Sequence, residues 1–160
     1  MDYPPHWETD AVLTDGGTVH IRPITPDDGD RLTDLHGRLS DRTIYYRFFT
    51  PRPRLTPREV QRFTTVDYAD RVALVAMLDD QLVGVARYDR LPGTWQAEVA
   101  FVVADEHQGR GVGTLLLEHL AAAARERGIT AFFADTLPDN RAMQSVFRPV
   151  SYTHLTLPTN

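Results

Sequence analysis

The chain has 160 residues, 42% of them apolar, which fits one domain with enough material for a core. Its net charge of -5, without a long basic run, argues against non-specific nucleic-acid binding. The absence of cysteine excludes disulfides, thiolate chemistry and Cys-ligated zinc, and no apolar run approaches the ~18 residues of a membrane span.

Residues 1–16 read as a lead-in that ends at the turn Asp15-Gly16-Gly17. They lack the basic and apolar regions of a signal peptide, so a cytoplasmic protein is expected. Thr18 to Ile24 alternates and predicts a strand with proline near its end. Thr25-Pro26 then places an N-cap before a proline, with Asp27 and Asp28 in the first turn of a helix carrying Leu32, Leu35 and Leu39 on one face. A second helical stretch runs from Arg42 to Phe49. Thr56-Pro57-Arg58-Glu59 is a capping box that starts a short helix to about Phe63. Val72–Leu78, Gln81–Asp89 and Gln96–Ala104 read as an antiparallel meander.

The pattern then changes. Arg110 to Arg127 predicts a long helix that buries Val112, Leu115, Leu116, Leu120 and Ala123, with Gly128 after its end. Thr130–Asp135 predicts another strand, parallel to the one before the helix through a right-handed crossover. Asp139 caps a last short helix, Asn140 to about Phe147. Meander plus crossover gives a mixed sheet flanked by helices, an α/β (α+β) domain.

The turn Gln108-Gly109-Arg110-Gly111-Val112-Gly113 lies between strand and long helix. Glycines let the backbone bend and approach a ligand. The first N–H groups of a helix lack internal partners and, with the helix dipole, suit a pyrophosphate. Arg110 could add charge-assisted contacts. A P-loop is excluded because there is no lysine, and a dinucleotide fingerprint because Thr114 stands where its third glycine belongs. Taken alone, the motif is weak evidence, and a plain tight turn between strand and helix is the alternative.

In its context the turn resembles the pyrophosphate loop, Q/R-x-x-G-x-G/A, of the GNAT acyltransferases, and the order of elements over residues 17–148 is similar. The stretches Thr43–Phe49, Arg87–Gly93 and Ala97–Val103 resemble the GNAT domains of bacterial protein lysine acetyltransferases. The resemblance implies an N-acetyltransferase that moves an acetyl group from acetyl-CoA, as co-substrate, to a primary amine such as a protein lysine. It also implies a partner region related to NDP-forming acyl-CoA synthetases, fused or separate. All 17 basic residues are arginine, so this polypeptide has no lysine side chain of its own to modify.

Glu98 is the candidate general base. It lies in an otherwise apolar strand, on one face with Ala100 and Val102, where partial desolvation is expected to raise its basicity. The alternatives are a solvated strand-end glutamate, or one paired with Arg87 or Arg90. The resemblance implies a catalytic glutamate here. It also implies that Phe101, Val102 and Val103 offer backbone groups to the pantetheine arm. Gln108, Gly109, Arg110, Gly111, Val112, Gly113 and Thr114 would hold the pyrophosphate, and Asn140 would touch the CoA arm. Many relatives have a tyrosine acid where this chain has Phe147. Tyr45, Tyr46, Phe48 and Phe49 either line the acceptor side or pack as a helix face. His107 adjoins the loop; the histidines show no metal spacing, so no metal is expected.

Residues 149–160 fit the pattern poorly. The stretch from Val150 resembles translated sequencing-adapter sequence, which implies a non-native tail, a domain truncated near Arg148 and an exposed sheet edge beside Thr130–Asp135. A CoA-binding regulatory module without turnover, or an inactive fragment, are the alternative functions.

Overall fold

A computed structural model describes residues 2–39, 55–133 and 154–156. Seven strands form one sheet in chain order: β1 Thr9–Val12, β2 Thr18–Pro23, β3 Arg71–Leu78, β4 Gln81–Arg90, β5 Gln96–Val103, β6 Ala131–Phe133 and β7 His154–Thr156. Neighbours are antiparallel except β5 and β6, which are parallel. The helices are α1 Gly29–Gly37, α2 Pro57–Thr64 and α3 Val112–Glu126. The mixed sheet flanked by helices is the architecture the sequence predicts. The expected helices over 42–49 and 140–147 lie outside the described residues, with Tyr45, Tyr46, Phe48, Phe49, Asn140 and Phe147.

Each face of the sheet has its own core. On one face α3 buries Val112, Leu116, Leu117, Leu120 and Ala124 against Ala86, Tyr88, Val99 and Phe132. On the other, Leu32 and Leu35 of α1 meet Val75, Val85 and Val102. Helix α3 packs close to β4 because Gly84 lies beneath it. A Cβ at Gly84 would stand 3.1 Å from both Val112 Cγ1 and Leu116 Cδ1. Gly84→Val is expected to overpack this seam and cost about 1–3 kcal/mol. A urea melt should show a lower midpoint with an unchanged slope.

Three features differ from the sequence reading. The lead-in contains β1, which pairs with β2 across the Asp15-Gly16-Gly17 turn, where Leu13 N–H donates to Gly17 O at 2.7 Å. In β1 only Ala11 is buried, so the strand carries almost no apolar periodicity. Asp28, expected in the first turn of the helix, lies ahead of it and is fully buried. It sits in a 3-10 turn, Pro26–Asp28, that precedes α1 and closes a capping box with Thr25. Third, the edge beside β6 is covered, because β7 pairs with it from Phe133↔His154 to Ala131↔Thr156. Strand pairing uses backbone groups that every non-proline residue carries, so a Thr-rich segment with no apolar pattern can fill an edge.

Candidate functional site

Strand β5 belongs fully to one neighbour and only briefly to the other. It pairs with β4 from Ala97 to Val103, but with β6 only from Gln96 to Glu98. Beyond Glu98, no strand among the described residues pairs with that side of β5. The hydrogen-bond phase fixes which groups face the opening. Ala104 N–H donates to Val83 O at 2.8 Å, and Leu91 N–H donates to Gln96 O at 2.8 Å. In an antiparallel ladder the bonded pairs alternate. Glu98, Ala100 and Val102 therefore turn their backbone groups to β4, while Val99, Phe101 and Val103 turn theirs outward. This corrects the expectation for Val102, whose backbone is spent in the ladder with Val85. Phe101 and Val103 have backbone groups on the outward side.

The chain leaves β5 through a 3-10 turn, Asp105–His107, and enters the glycine loop. Gly109 has φ +83° and Gly111 +90°, a region where only glycine is unstrained. Gly111 is the N-cap of α3, with no side chain capping it. Leu115 N–H donates to Gly111 O at 3.0 Å, so the amides of Val112, Gly113 and Thr114 precede the first helical bond. Gly113 lets this helix start press on β5: a Cβ there would lie 2.8 Å from Phe101 Cε2. A row of helix-start N–H groups and the outward edge of β5 are thus brought together. The first suits a polyanion and the second suits an extended amide-bearing chain.

Two polar side chains of the loop are used internally. Gln108 Nε2 donates to Val103 O at 3.1 Å and ties the loop to the end of β5. Arg110, expected at the phosphate, instead forks onto Asp15, with Nε to Oδ2 at 2.6 Å and Nη2 to Oδ1 at 3.3 Å. Its Nη1 meets His107 Nδ1 at 2.8 Å. The reason is the unforeseen β1–β2 hairpin, which brings a carboxylate to the loop. Arg110, and next the Gly17 amide, hold the Asp15 carboxyl below the usual carboxylate range.

Glu98 is exposed, so the expected desolvation is not met. Its side chain lies on the face of the sheet opposite the one that α3 covers over Ala97 and Val99. Glu98 makes no ion pair among the described residues. Arg90 bonds Asp70 at 3.3 Å and lies over the Trp95 ring, and Arg87 is buried over Phe63. Asp89, opposite Glu98 on β4, bonds Arg71 at 3.3 Å. Val112 is buried and Thr114 exposed at the start of α3. Among the described residues there is no cluster of potential metal ligands and no helix long and apolar enough to cross a membrane.

The sequence model of the acetyltransferase (GNAT) family matches residues 41–152. The chain belongs to the GNAT acetyltransferase family. Its fold superimposes on the crystal structure of the GNAT domain of S. lividans PAT with a TM-score of 0.91 and 45% identity, covering 98% of this chain and 100% of that one. It is 32% identical to an acetyltransferase of Pseudomonas aeruginosa, over 88% of this chain and 77% of that protein. It is 35% identical to acetyltransferase Pat of Mycolicibacterium smegmatis, over 82% of this chain but 40% of Pat. This GNAT domain is thus an acyltransferase, and it spans less than half of Pat.

Proposed function

We propose that this GNAT domain transfers an acetyl group from acetyl-CoA to the side-chain amine of a protein lysine. The observation that carries the reading is the meeting of the α3 N-terminus with the outward edge of β5. The amides of Gly109, Gly111, Val112, Gly113 and Thr114 form a cradle for the pyrophosphate, and no loop side chain has to supply the charge. The pantetheine arm has amide groups that match the outward N–H and C=O of Phe101 and the N–H of Val103. Val103 lies five steps along the strand from Glu98, about 16 Å at ~3.3 Å per residue. That reach carries the thioester from the loop to the carboxylate.

A lysine amine arrives protonated, with a reference pKa of ~10.4, and must lose a proton before it can attack. Glu98, exposed and without an ion pair among the described residues, is free to take that proton directly or through one water. The amine nitrogen then bonds to the carbonyl carbon and the carbon–sulfur bond breaks. The Val99 N–H is taken by the short ladder with β6. The outward N–H of Phe101 is then the nearest to Glu98 along the free edge and suits the oxyanion. Asn140 is a further candidate contact to the CoA arm. The likeness to Pat favours a protein lysine as acceptor. A bacterial cytoplasmic setting and a synthetase-like region, fused or separate, as partner belong to the same proposal.

Release of free CoA in the presence and absence of a lysine-bearing protein tests the reading. Amine-dependent release is expected. A thermal shift with acetyl-CoA but no amine-dependent release would favour a CoA-binding module without turnover. The cradle has its own prediction. Gly111→Ala puts a Cβ at φ +90° and 3.1 Å from Thr14 Cγ2. Strain of this kind costs about 1–3 kcal/mol. If it is relieved by reshaping the loop, acetyl-CoA binding measured by calorimetry should weaken by about tenfold or more.

A further inference from the structure

The N-terminal hairpin makes a second set of contacts that the acyltransfer reading does not use. Its turn grips the phosphate loop from outside. Thr14 N–H donates to Arg110 O at 3.0 Å. Asp15 receives the Arg110 fork and also accepts from Gly17 N–H at 2.9 Å. The approach is close on both sides. A Cβ on Gly17 would stand 2.8 Å from Arg110 Nη2, and one on Gly111 would stand 3.1 Å from Thr14 Cγ2. The hairpin lies ahead of residues 41–152, the part matched by the family model.

Arg110 stands between the two left-handed glycines, Gly109 and Gly111. Those two residues carry the most backbone freedom in the loop, and freedom there would scatter the amides that must converge on an anion. Arg110 is held at both its backbone oxygen and its guanidinium, and the guanidinium also reaches back to His107 at the loop entrance. The loop is thereby clamped at its midpoint. We propose that Asp15, assisted by the Thr14 amide, is a positioning residue for acyl-CoA binding: it fixes Arg110 so that the amides on either side are preorganised for the pyrophosphate. The inference rests on the phosphate-cradle reading of the loop. It assigns Arg110 a structural role, where a direct contact to phosphate would be the simple reading of its charge.

The two roles predict opposite results. If Asp15 positions the loop, Asp15→Ala raises the KM for acetyl-CoA by about tenfold while kcat stays within about twofold. Asp15→Asn loses less, because an amide oxygen still accepts from Arg110 and from Gly17. Arg110→Ala resembles Asp15→Ala, and the double variant is no worse than Arg110→Ala alone, since both remove one clamp. If Arg110 binds phosphate directly, Asp15→Ala frees it and lowers the KM, Arg110→Ala is worse than Asp15→Ala, and the proposal is overturned. A fall in melting temperature with no change in KM would also overturn it. Amide hydrogen exchange at Gly109 and Gly111–Thr114 without ligand separates this claim from the acyltransfer reading. Faster exchange in Asp15→Ala supports the clamp even if the wild-type chain fails to bind acetyl-CoA, and unchanged exchange rejects it even if transfer is normal.

Discussion

Glu98→Gln is expected to lower kcat for amine acetylation by about 10²–10⁴-fold while leaving acetyl-CoA binding intact. The substitution keeps the size and one acceptor oxygen but cannot take the ammonium proton. Its backbone groups face β4, so the outward edge used by the cofactor is untouched. Glu98 is exposed and makes no ion pair among the described residues, so little stability should change. The expected signature is a kcat defect with an unchanged melting temperature and an unchanged calorimetric Kd for acetyl-CoA. A defect that vanishes at high pH would strengthen the assignment, because the amine then loses its proton to water. A variant with wild-type turnover at neutral pH would remove Glu98 from the mechanism.

The largest effect on stability is expected at Asp28. Its carboxylate is fully buried and forks with Arg22 at 2.6 and 2.8 Å. It accepts from the Thr25 amide at 2.8 Å and from Arg31 at 3.2 Å. Asp28→Ala leaves the Arg22 guanidinium part-buried without its counter-ion, which costs about 3–5 kcal/mol. Burial alone would raise the Asp28 pKa. The bonds from Arg22 and Thr25 and the charges of Arg22 and Arg31 outweigh it, so the net shift is downward. The wild-type contribution is therefore present above the unfolded-state value of ~3.9 and is lost as pH falls through the lower folded value. Urea melts between neutral pH and about pH 3 should show the gap between wild type and Asp28→Ala closing on the acid side. A gap that does not change with pH would mean that packing, and not charge, is what the substitution removes.

The elements with strong local signals were legible. The Thr56–Glu59 capping box is present in both directions, at 3.0 and 3.1 Å, and α2 begins where it says. Helix α3 starts at Val112 where the sequence predicts Arg110, because Gly111 at φ +90° is its cap. The meander, the crossover and the glycine loop follow from periodicity and turn chemistry alone. What failed were features that depend on distant partners. Asp15 reads as a turn residue, and nothing local says that Arg110 will meet it across the molecule. Period two puts Glu98 with Ala100 and Val102, but not whether anything packs over Glu98 itself, which is exposed while Val102 is buried. The phase of the β4–β5 ladder, which turns the Val102 backbone to β4, is not written in the side chains. Strand β1 has one buried residue and so gives almost no pattern to find.

A titration of the ¹⁵N-labelled chain with acetyl-CoA, followed amide by amide, shows whether the α3 N-terminus and the outward edge of β5 together hold the cofactor. The largest shifts are expected at Gly109, Gly111, Gly113 and Thr114, with a second group at Val99, Phe101 and Val103 and smaller changes at Ala100 and Val102. Saturable shifts that cluster elsewhere, or that spare the loop while the protein binds, would contradict the account.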